Sequence, residues 1–155
     1  MNLHIQSESG FGPQWFQHGN LFVKGHFWFR NVEGDLASLE RALNNAENNQ
    51  LEVEKVLNHL NGSFALLYKK AGATLAAVDF CRSMPILFDK QNIYGTDVGS
   101  IKGLEIELAK LQELKSIEFI QGNDTLYKNV KQIQAGEYVL FKNEKSTIRS
   151  YFSHK

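Results

Sequence analysis

Hydrophobic residues recur along the chain with two different periods, which separate predicted strands from predicted helices. The branched and aromatic run from Leu21 to Phe29 is typical of a strand. After it, Asp35 is a favourable N-cap, and the apolar positions change to helical spacing. The buried face of this first predicted helix consists of Leu36, Leu39, Leu43 and Ala46.

A second helix is predicted immediately afterwards. Asn49 and Glu52 have the spacing of a capping box, in which each side chain satisfies a backbone N–H of the other's turn. We expect Asn61 and Gly62 to end this helix, because glycine tolerates the left-handed conformation that follows a helix. Its apolar face consists of Leu51, Val53, Val56, Leu57 and Leu60.

The rest of the chain favours hairpins and one more helix. We predict a short strand at residues 3–5, a loop at 7–14, a helix within 104–119, and strand pairs at 63–68 with 74–80, 85–88 with 92–95, and 136–142 with 146–152. Strands in consecutive pairs with the helices in a block indicate an α+β fold rather than a parallel doubly wound sheet. A length of 155 residues fits one domain over 1–155.

Composition removes several functional classes. Lys and Arg total 17 and Asp and Glu total 17, so charge gives no reason to expect a nucleic-acid partner. No apolar run is long enough to span a membrane, and the first residues lack the pattern of a signal peptide. The only cysteine, Cys81, cannot form an intrachain disulfide, so a cytoplasmic location is expected. The five histidines have no metal-ligand spacing, and we expect neither a metal nor a cofactor.

Three segments together resemble the N-terminal glutaminase domain of asparagine synthetase and its class II amidotransferase relatives. These segments are Leu-Asn-Gly-Ser-Phe-Ala-Leu at 60–66, Asp79 with Pro85-Ile-Leu-Phe and the following Tyr-Gly-Thr-Asp at 94–97, and Thr-Leu-Tyr-Lys-Asn-Val at 125–130 with Gly-Glu-Tyr-Val at 136–139. Their order and spacing extend the resemblance over residues 21–152. It implies a four-layer α/β/β/α sandwich of the N-terminal-nucleophile hydrolases, with two antiparallel sheets stacked face to face, here shortened at the N-terminus.

The same resemblance implies a site from which the family's functional groups are missing. The family uses an N-terminal nucleophile whose α-amine serves as base, whereas position 2 is Asn2. The family's oxyanion Asn-Gly pair corresponds to Lys24-Gly25, just before His26, so only the glycine remains. No Arg precedes Arg30 to pair the substrate carboxylate, and Asn48-Asn49-Gln50 stands where the family has its Asp. Lys24, Gly25 and His26 are therefore interpreted as a vestigial pocket.

These observations predict a noncatalytic, degenerate amidotransferase-like module, with no enzyme activity of its own. Such a module would bind or scaffold a separate ATP-dependent amide synthetase in a biosynthetic pathway, or assemble with itself. Two alternatives stay open. One is a residual amidotransferase or glutaminase that uses Cys81 or His26, and the other is a regulatory module that binds a small molecule in the old glutamine pocket.

Individual residues have a structural interpretation beside the functional one. Cys81 is interpreted as a small core or turn residue, and His26 as a partly buried strand histidine. The first thirty residues contain many aromatics, which either fill the sheet core or form a contact surface for another domain. They are Phe11, Trp15, Phe16, Phe22, Phe27, Trp28 and Phe29.

Overall fold

The computed structural model describes residues 1–5, 13–46, 49–95, 101–117, 120 and 122–152. The strands within these ranges are β1 (Asn2–His4), β2 (Trp15–His18), β3 (Leu21–Phe29), β4 (Val32–Glu33), β5 (Leu60–Lys70), β6 (Ala73–Val78), β7 (Leu87–Phe88), β8 (Asn92–Tyr94), β9 (Lys131–Gln132), β10 (Glu137–Lys142) and β11 (Lys145–Ser150). The helices are α1 (Leu36–Asn45), α2 (Gln50–Asn58) and α3 (Leu108–Ile117).

The strands form two sheets. The larger has the order β11-β10-β6-β5-β3-β2, with β4 paired to β3, and every neighbouring pair is antiparallel. The smaller has the order β1-β8-β7-β9. Its β1–β8 pair is parallel, which differs from the purely antiparallel sheets that the resemblance implies. A parallel pair needs a long connection between its strands. Here the chain passes through β2 to β7 and through both α1 and α2 between β1 and β8.

Two apolar cores define the layers. One lies between the larger sheet and helices α1 and α2, and contains Phe29, Leu39, Leu57 and Phe64. The other lies between the two sheets, where Ala65 and Leu67 of the larger sheet meet Phe88 and Ile93 of the smaller one and Ile86 just before β7. The outer face of the smaller sheet is covered in turn by Ile101, Leu104 and Tyr127. The predicted α+β class with two stacked sheets is thereby confirmed.

Both predicted N-caps are present. The Asp35 carboxylate accepts the Ser38 N–H at 3.0 Å, and the Asn49 side chain accepts the N–H groups of Leu51 and Glu52. The capping box is only half formed, because the Asn49 N–H donates to the Ala46 carbonyl instead of to Glu52. The Glu52 carboxylate pairs with Lys55 one turn later, at 2.6 Å.

The predicted helix stop at Asn61-Gly62 is wrong. Helix α2 ends at Asn58, and Leu60 already begins strand β5, so Asn61 and Gly62 are strand residues. Gly62 has a φ of +112°, and a Cβ there would clash with the His26 carbonyl of the neighbouring strand. The glycine therefore serves the close approach of β3 and β5, not the end of a helix.

The remaining elements agree with prediction to differing degrees. Strand β3 has its predicted bounds, and the three predicted hairpins form β5–β6, β7–β8 and β10–β11. Helix α3 begins at Leu108, later than predicted, because Ile106 instead bridges to Tyr127. Most of the predicted 7–14 loop lies outside the described residues. Strands β2, β4 and β9 were not predicted.

Candidate functional site

The three residues of the predicted vestigial pocket are consecutive in the middle of β3. In the register of the larger sheet Lys24, Gly25 and His26 lie opposite Ala65, Phe64 and Ser63 of β5. Alternation along β3 places Leu21, Val23, Phe27 and Phe29 in the core under the helices. Lys24 and His26 consequently face the side on which the smaller sheet packs.

Lys24 is held close to the end of strand β8. Its Nζ donates to the Gly95 carbonyl at 3.4 Å, and the indole Nε1 of Trp15 donates to the same oxygen at 3.0 Å. Trp15 lies opposite Lys24 on β2, and its ring packs so closely on Gly95 that a Cβ there would lie 2.5 Å from Cζ2. The position implied to carry an amide for an oxyanion thus carries a cation that is bonded to backbone.

Gly25 is covered by another side chain. Its φ is +100°, a conformation that residues with a Cβ rarely adopt. A Cβ at this position would clash with the Ser63 carbonyl and would lie 2.6 Å from Cε and 2.7 Å from Sδ of Met84. Because the Met84 thioether is a weak acceptor and no donor, it cannot stabilise a developing oxyanion.

His26 is far more exposed than a partly buried strand residue, so that interpretation is wrong. Its side chain is 85% exposed, and Nδ1 lies 3.8 Å from Glu33 Oε1, whose side chain is 65% exposed. An exposed pair of this kind contributes little to stability. His26 lies opposite Ser63, but no hydrogen bond connects these two side chains in the described part of the molecule.

Met84 reaches Gly25 because Asp79 organises the turn between β6 and β7. Asp79 is 2% exposed, and its carboxylate accepts the N–H groups of Phe64, Cys81 and Ser83 as well as the Ser83 hydroxyl. The turn includes Arg82, whose φ is +50°, and it delivers Met84 to the Gly25 side of the sheet. The Asp79–Pro85 spacing noted in the sequence therefore corresponds to a structural turn. Sequence reasoning did not find Met84, because its contact with Gly25 depends on this turn.

The only thiol lies on the same turn. Cys81 is exposed, so its interpretation as a core residue is wrong and its interpretation as a turn residue is confirmed. Its backbone N–H donates to Asp79 Oδ1 at 2.7 Å. Among the described residues no group of three or more metal-ligating side chains could hold an ion, and no helix is long and apolar enough to cross a membrane.

The early aromatic residues divide into two groups. Phe27 and Phe29 are buried in the helix-side core, and Trp15 and Phe22 pack between the sheets. Phe16 and Trp28 are 59% and 39% exposed, respectively. The sheet-core interpretation is therefore confirmed for the first group, while these two side chains remain available to another surface. Phe11 lies outside the described residues.

Comparison with known proteins gives a distant likeness only. No protein-family model and no curated protein matches the chain. One matching solved structure is the glutamine phosphoribosylpyrophosphate amidotransferase from B. subtilis complexed with ADP and GMP, with 12% identity and a TM-score of 0.40, covering 97% of this chain and 34% of that one. A second, described as the allosteric regulatory enzyme of purine biosynthesis, has 12% identity and a TM-score of 0.40, covering 92% of this chain and 31% of that one.

This chain thus spans about a third of the length of each matching structure. A likeness at this score and identity does not assign a family. It also does not favour asparagine synthetases over other proteins that use glutamine.

Proposed function

We propose that this chain is a noncatalytic glutamine-amidotransferase-like domain of the asparagine synthetase type, and that it acts by binding a separate ATP-dependent amide synthetase. The observation that carries the proposal is the covered Lys24-Gly25 position. Met84 covers Gly25, and Lys24 and Trp15 both bond the Gly95 carbonyl. The chain keeps the motifs at 60–66, 79–88 and 125–139, which belong to the scaffold of the domain and not to its catalytic groups.

The side chains near Gly25 do not support amide hydrolysis. Such a reaction needs a nucleophile within hydrogen-bond reach of a base. Two hydroxyls of this region, those of Ser63 and Ser83, lie 3.3 Å apart, and Ser83 also bonds Asp79. Within the described residues, neither hydroxyl is bonded to a histidine or an amine.

The exposed aromatics supply a surface for a partner. Trp28 lies opposite Asn61 on a part of the larger sheet where Asn61, Ser63 and His26 are all exposed, so the smaller sheet does not cover it. Large aromatic side chains surrounded by polar groups are the usual anchors of protein interfaces. We therefore place the centre of the partner contact at Trp28.

Binding to a synthetase that lacks its own amidotransferase domain tests this proposal. Titration calorimetry and light scattering should detect a complex with the wild-type chain, and Trp28→Ala should weaken it at least about tenfold, or about 1.4 kcal/mol. Leu51→Ala is the matched control, because Leu51 is 66% exposed on α2, away from β3, and should bind like wild type. A chain that stays monomeric with such a synthetase, or equal effects of the two substitutions, would overturn the proposal.

A residual enzyme is the second candidate, and one juxtaposition favours it. The His26 imidazole on β3 lies between the Glu33 carboxylate on β4, which is 3.8 Å away, and Ser63, which lies opposite His26 on β5. This is the carboxylate–imidazole–hydroxyl order of a catalytic triad. If this arrangement hydrolyses amides, then His26→Ala and Ser63→Ala should each abolish activity while Cys81→Ala leaves it unchanged. Loss of activity in Cys81→Ala alone would assign the reaction to the thiol instead.

The regulatory alternative needs a ligand in the space that Met84 and Trp15 now line. Thermal-shift measurements with amino acids test it, since a ligand at 100 times its Kd adds about 2.7 kcal/mol of stability. We expect no shift with glutamine, glutamate or asparagine. A saturable shift that Lys24→Met removes would favour this alternative over the proposal.

A further inference from the structure

The helices cover only part of the larger sheet. Helix α1 packs on β2 and β3, and α2 packs on β5 and reaches β10 only where the Tyr138 hydroxyl donates to Glu54. Within the described part of the chain no helix packs along β10 and β11, whose helix-bearing side we call the open strip. Two neighbouring strands span about 10 Å, and a helix is about 10–12 Å wide. The open strip therefore has the width of one helix.

The centre of the open strip is apolar. Because Tyr138 lies in the helix-side core and Val139 between the sheets, alternation places Leu140 on the helix-bearing side. Leu140 lies beside Leu75 of β6 and Thr147 of β11. Leu75 is 6% exposed, whereas Leu140 is 36% exposed, and both line a groove of about 260 Å³ that opens beside the helices. The core under the helices thus ends at an uncovered leucine.

Cations lie at both ends of the open strip. Lys142 pairs with Lys145 on one side of Leu140, and Arg149 pairs with Tyr138 on the other. The two lysines and the arginine are exposed, and none of them forms an ion pair with another residue that the structure describes. An exposed leucine is therefore flanked along the strands by positive charge.

Two carboxylates border the open strip but do not neutralise it. Glu54 Oε1 accepts hydrogen bonds from the Tyr138 hydroxyl at 3.0 Å and from Gln50 Nε2 at 2.8 Å, which hold it against α2. Glu144 belongs to the hairpin turn, beyond the end of the strip. The surface that complements an apolar centre with cations at both ends is apolar with acidic ends.

We propose that an acidic amphipathic helix of a partner protein packs on the open strip, beside α2, as the next helix of the layer. Its apolar stripe covers Leu140 and closes the groove over Leu75. Its carboxylates pair with Lys142 and Lys145 at one end and with Arg149 at the other. An amphipathic helix that lays its apolar face into a groove is a common mode of peptide recognition.

The strip also sets the spacing of this helix. Lys142 and Tyr138, which Arg149 pairs, are four residues apart on β10, or about 13 Å, and that distance corresponds to about nine residues of helix. The acidic positions are therefore separated by about two apolar turns. Trp28 faces the opposite side of the larger sheet from this strip, because Phe27 and Phe29 face the helices. Binding here consequently does not depend on the partner contact proposed at Trp28.

Three synthetic peptides of about 17 residues test the proposal. The first has leucine along one helical face and glutamate on both flanks, the second has lysine in place of each glutamate, and the third is the first with proline at its centre. Fluorescence anisotropy should give a Kd of about 100 µM or tighter for the glutamate peptide. The lysine peptide should bind at least about tenfold more weakly, with a smaller gap in about 1 M salt, and so should the proline peptide, which cannot form a continuous helix.

Three outcomes with these peptides would overturn the proposal. One is no binding of the glutamate peptide. Another is equal binding of the glutamate and lysine peptides, which would show apolar adhesion without charge recognition. The third is equal binding of the glutamate and proline peptides, which would show a surface for any polyanion, including a nucleic acid, instead of a helix.

Charge reversal locates the binding on the strip. Lys142→Glu should weaken the glutamate peptide at least about fivefold and strengthen the lysine peptide. Lys69→Glu is the matched control, because it changes the net charge equally, but Lys69 is exposed on the other face of the sheet and should bind both peptides like wild type. Equal effects of the two substitutions would show general charge attraction and would overturn the proposal.

A second pair of variants tests the apolar centre. Leu140→Gln should weaken the glutamate peptide at least about fivefold, whereas Leu108→Gln on α3, where Leu108 is 72% exposed, should have no effect. Equal binding by Leu140→Gln and wild type would overturn the proposal. If Leu140→Gln fails to fold, Lys142→Glu decides alone.

Discussion

Among single residues, Asp79 holds the turn that lies beside the candidate site. It is almost completely buried, and four donor groups of three residues converge on its carboxylate. A buried donor left without its acceptor costs about 1–3 kcal/mol. The turn that carries Met84 therefore depends on this one side chain.

Asp79→Ala should lower the free energy of unfolding by about 3–5 kcal/mol, because several of these donors lose their acceptor in a buried place. Urea unfolding followed by fluorescence measures the effect. Asp124→Ala is the control, since Asp124 is 48% exposed and bonds Lys110 at 2.7 Å, and it should cost less than about 1 kcal/mol. Equal losses in the two variants would mean that Asp79 does not organise the turn.

Asp89 gives a prediction about pH. Burial of this carboxyl by itself favours the neutral acid, but hydrogen bonds from the Gln91 N–H, from Asn92 and from the Tyr94 hydroxyl outweigh burial and hold its pKa below the ordinary 3.8. A carboxyl whose pKa is lower in the folded state stabilises the fold above its unfolded pKa. That contribution is lost as the pH falls through the folded pKa.

The stability advantage of wild type over Asp89→Asn should therefore shrink as the pH is lowered from about 6 to about 2. Thermal unfolding of both proteins across this range measures it. The same measurement on Asp124→Asn is the control, because it shows the effect of removing a hydrogen-bonded carboxylate in another part of the molecule. A difference for Asp89→Asn that stays constant or widens in acid would contradict the assigned hydrogen bonds.

At the scale of elements, local patterns predicted those parts of the fold that local energetics decide. The bounds of β3, the N-caps of α1 and α2 and the three hairpins follow from alternation, capping and turn residues. Strands β4 and β9 have two residues each and exist only through pairing with β3 and β7. No local pattern could predict them. The predicted helix stop at Gly62 was wrong for the same reason, because the sequence around Gly62 does not show that β3 lies close to it.

The β10–β11 hairpin gives a prediction at this scale. Its two-residue turn is Asn143-Glu144, with φ values of +52° and +60°, and Lys142 pairs with Lys145 across it. A glutamate in this left-handed region is strained, while Asn-Gly is the preferred pair in such turns. Glu144→Gly should therefore raise the free energy of unfolding by about 0.5–1 kcal/mol.

Chemical denaturation of Glu144→Gly and Glu144→Ala distinguishes relief of backbone strain from removal of the glutamate charge. The alanine variant keeps the Cβ and the strain, and should not be stabilised. If both variants gain stability equally, removal of the glutamate charge and not relief of the backbone explains the effect.

At the scale of the whole molecule, the charged and aromatic side chains lie at different places although the net charge is zero. The hairpin turns at one end surround a groove of about 570 Å³ whose lining includes five lysines and two carboxylates, namely Lys69, Lys70, Lys90, Lys142, Lys145, Asp89 and Glu144. Trp28 and Phe80, which are 39% and 38% exposed, lie at the other end of the larger sheet, where β5 begins and β6 ends. The sequence could not predict this separation, because each group is assembled from segments that are distant along the chain. The covering of Gly25 by Met84 was unpredictable for the same reason, whereas the presence of a lysine before Gly25 is read directly from the sequence.

We propose that the chain keeps an amidotransferase-like scaffold while its Lys24-Gly25 position takes no part in amide hydrolysis. Release of glutamate from glutamine by the purified chain at high concentration tests it most directly. We expect a rate equal to that of a heat-unfolded sample, with no change in Cys81→Ala, His26→Ala or Ser63→Ala. Glutamate release above that blank that is abolished by any one of these three substitutions would contradict it.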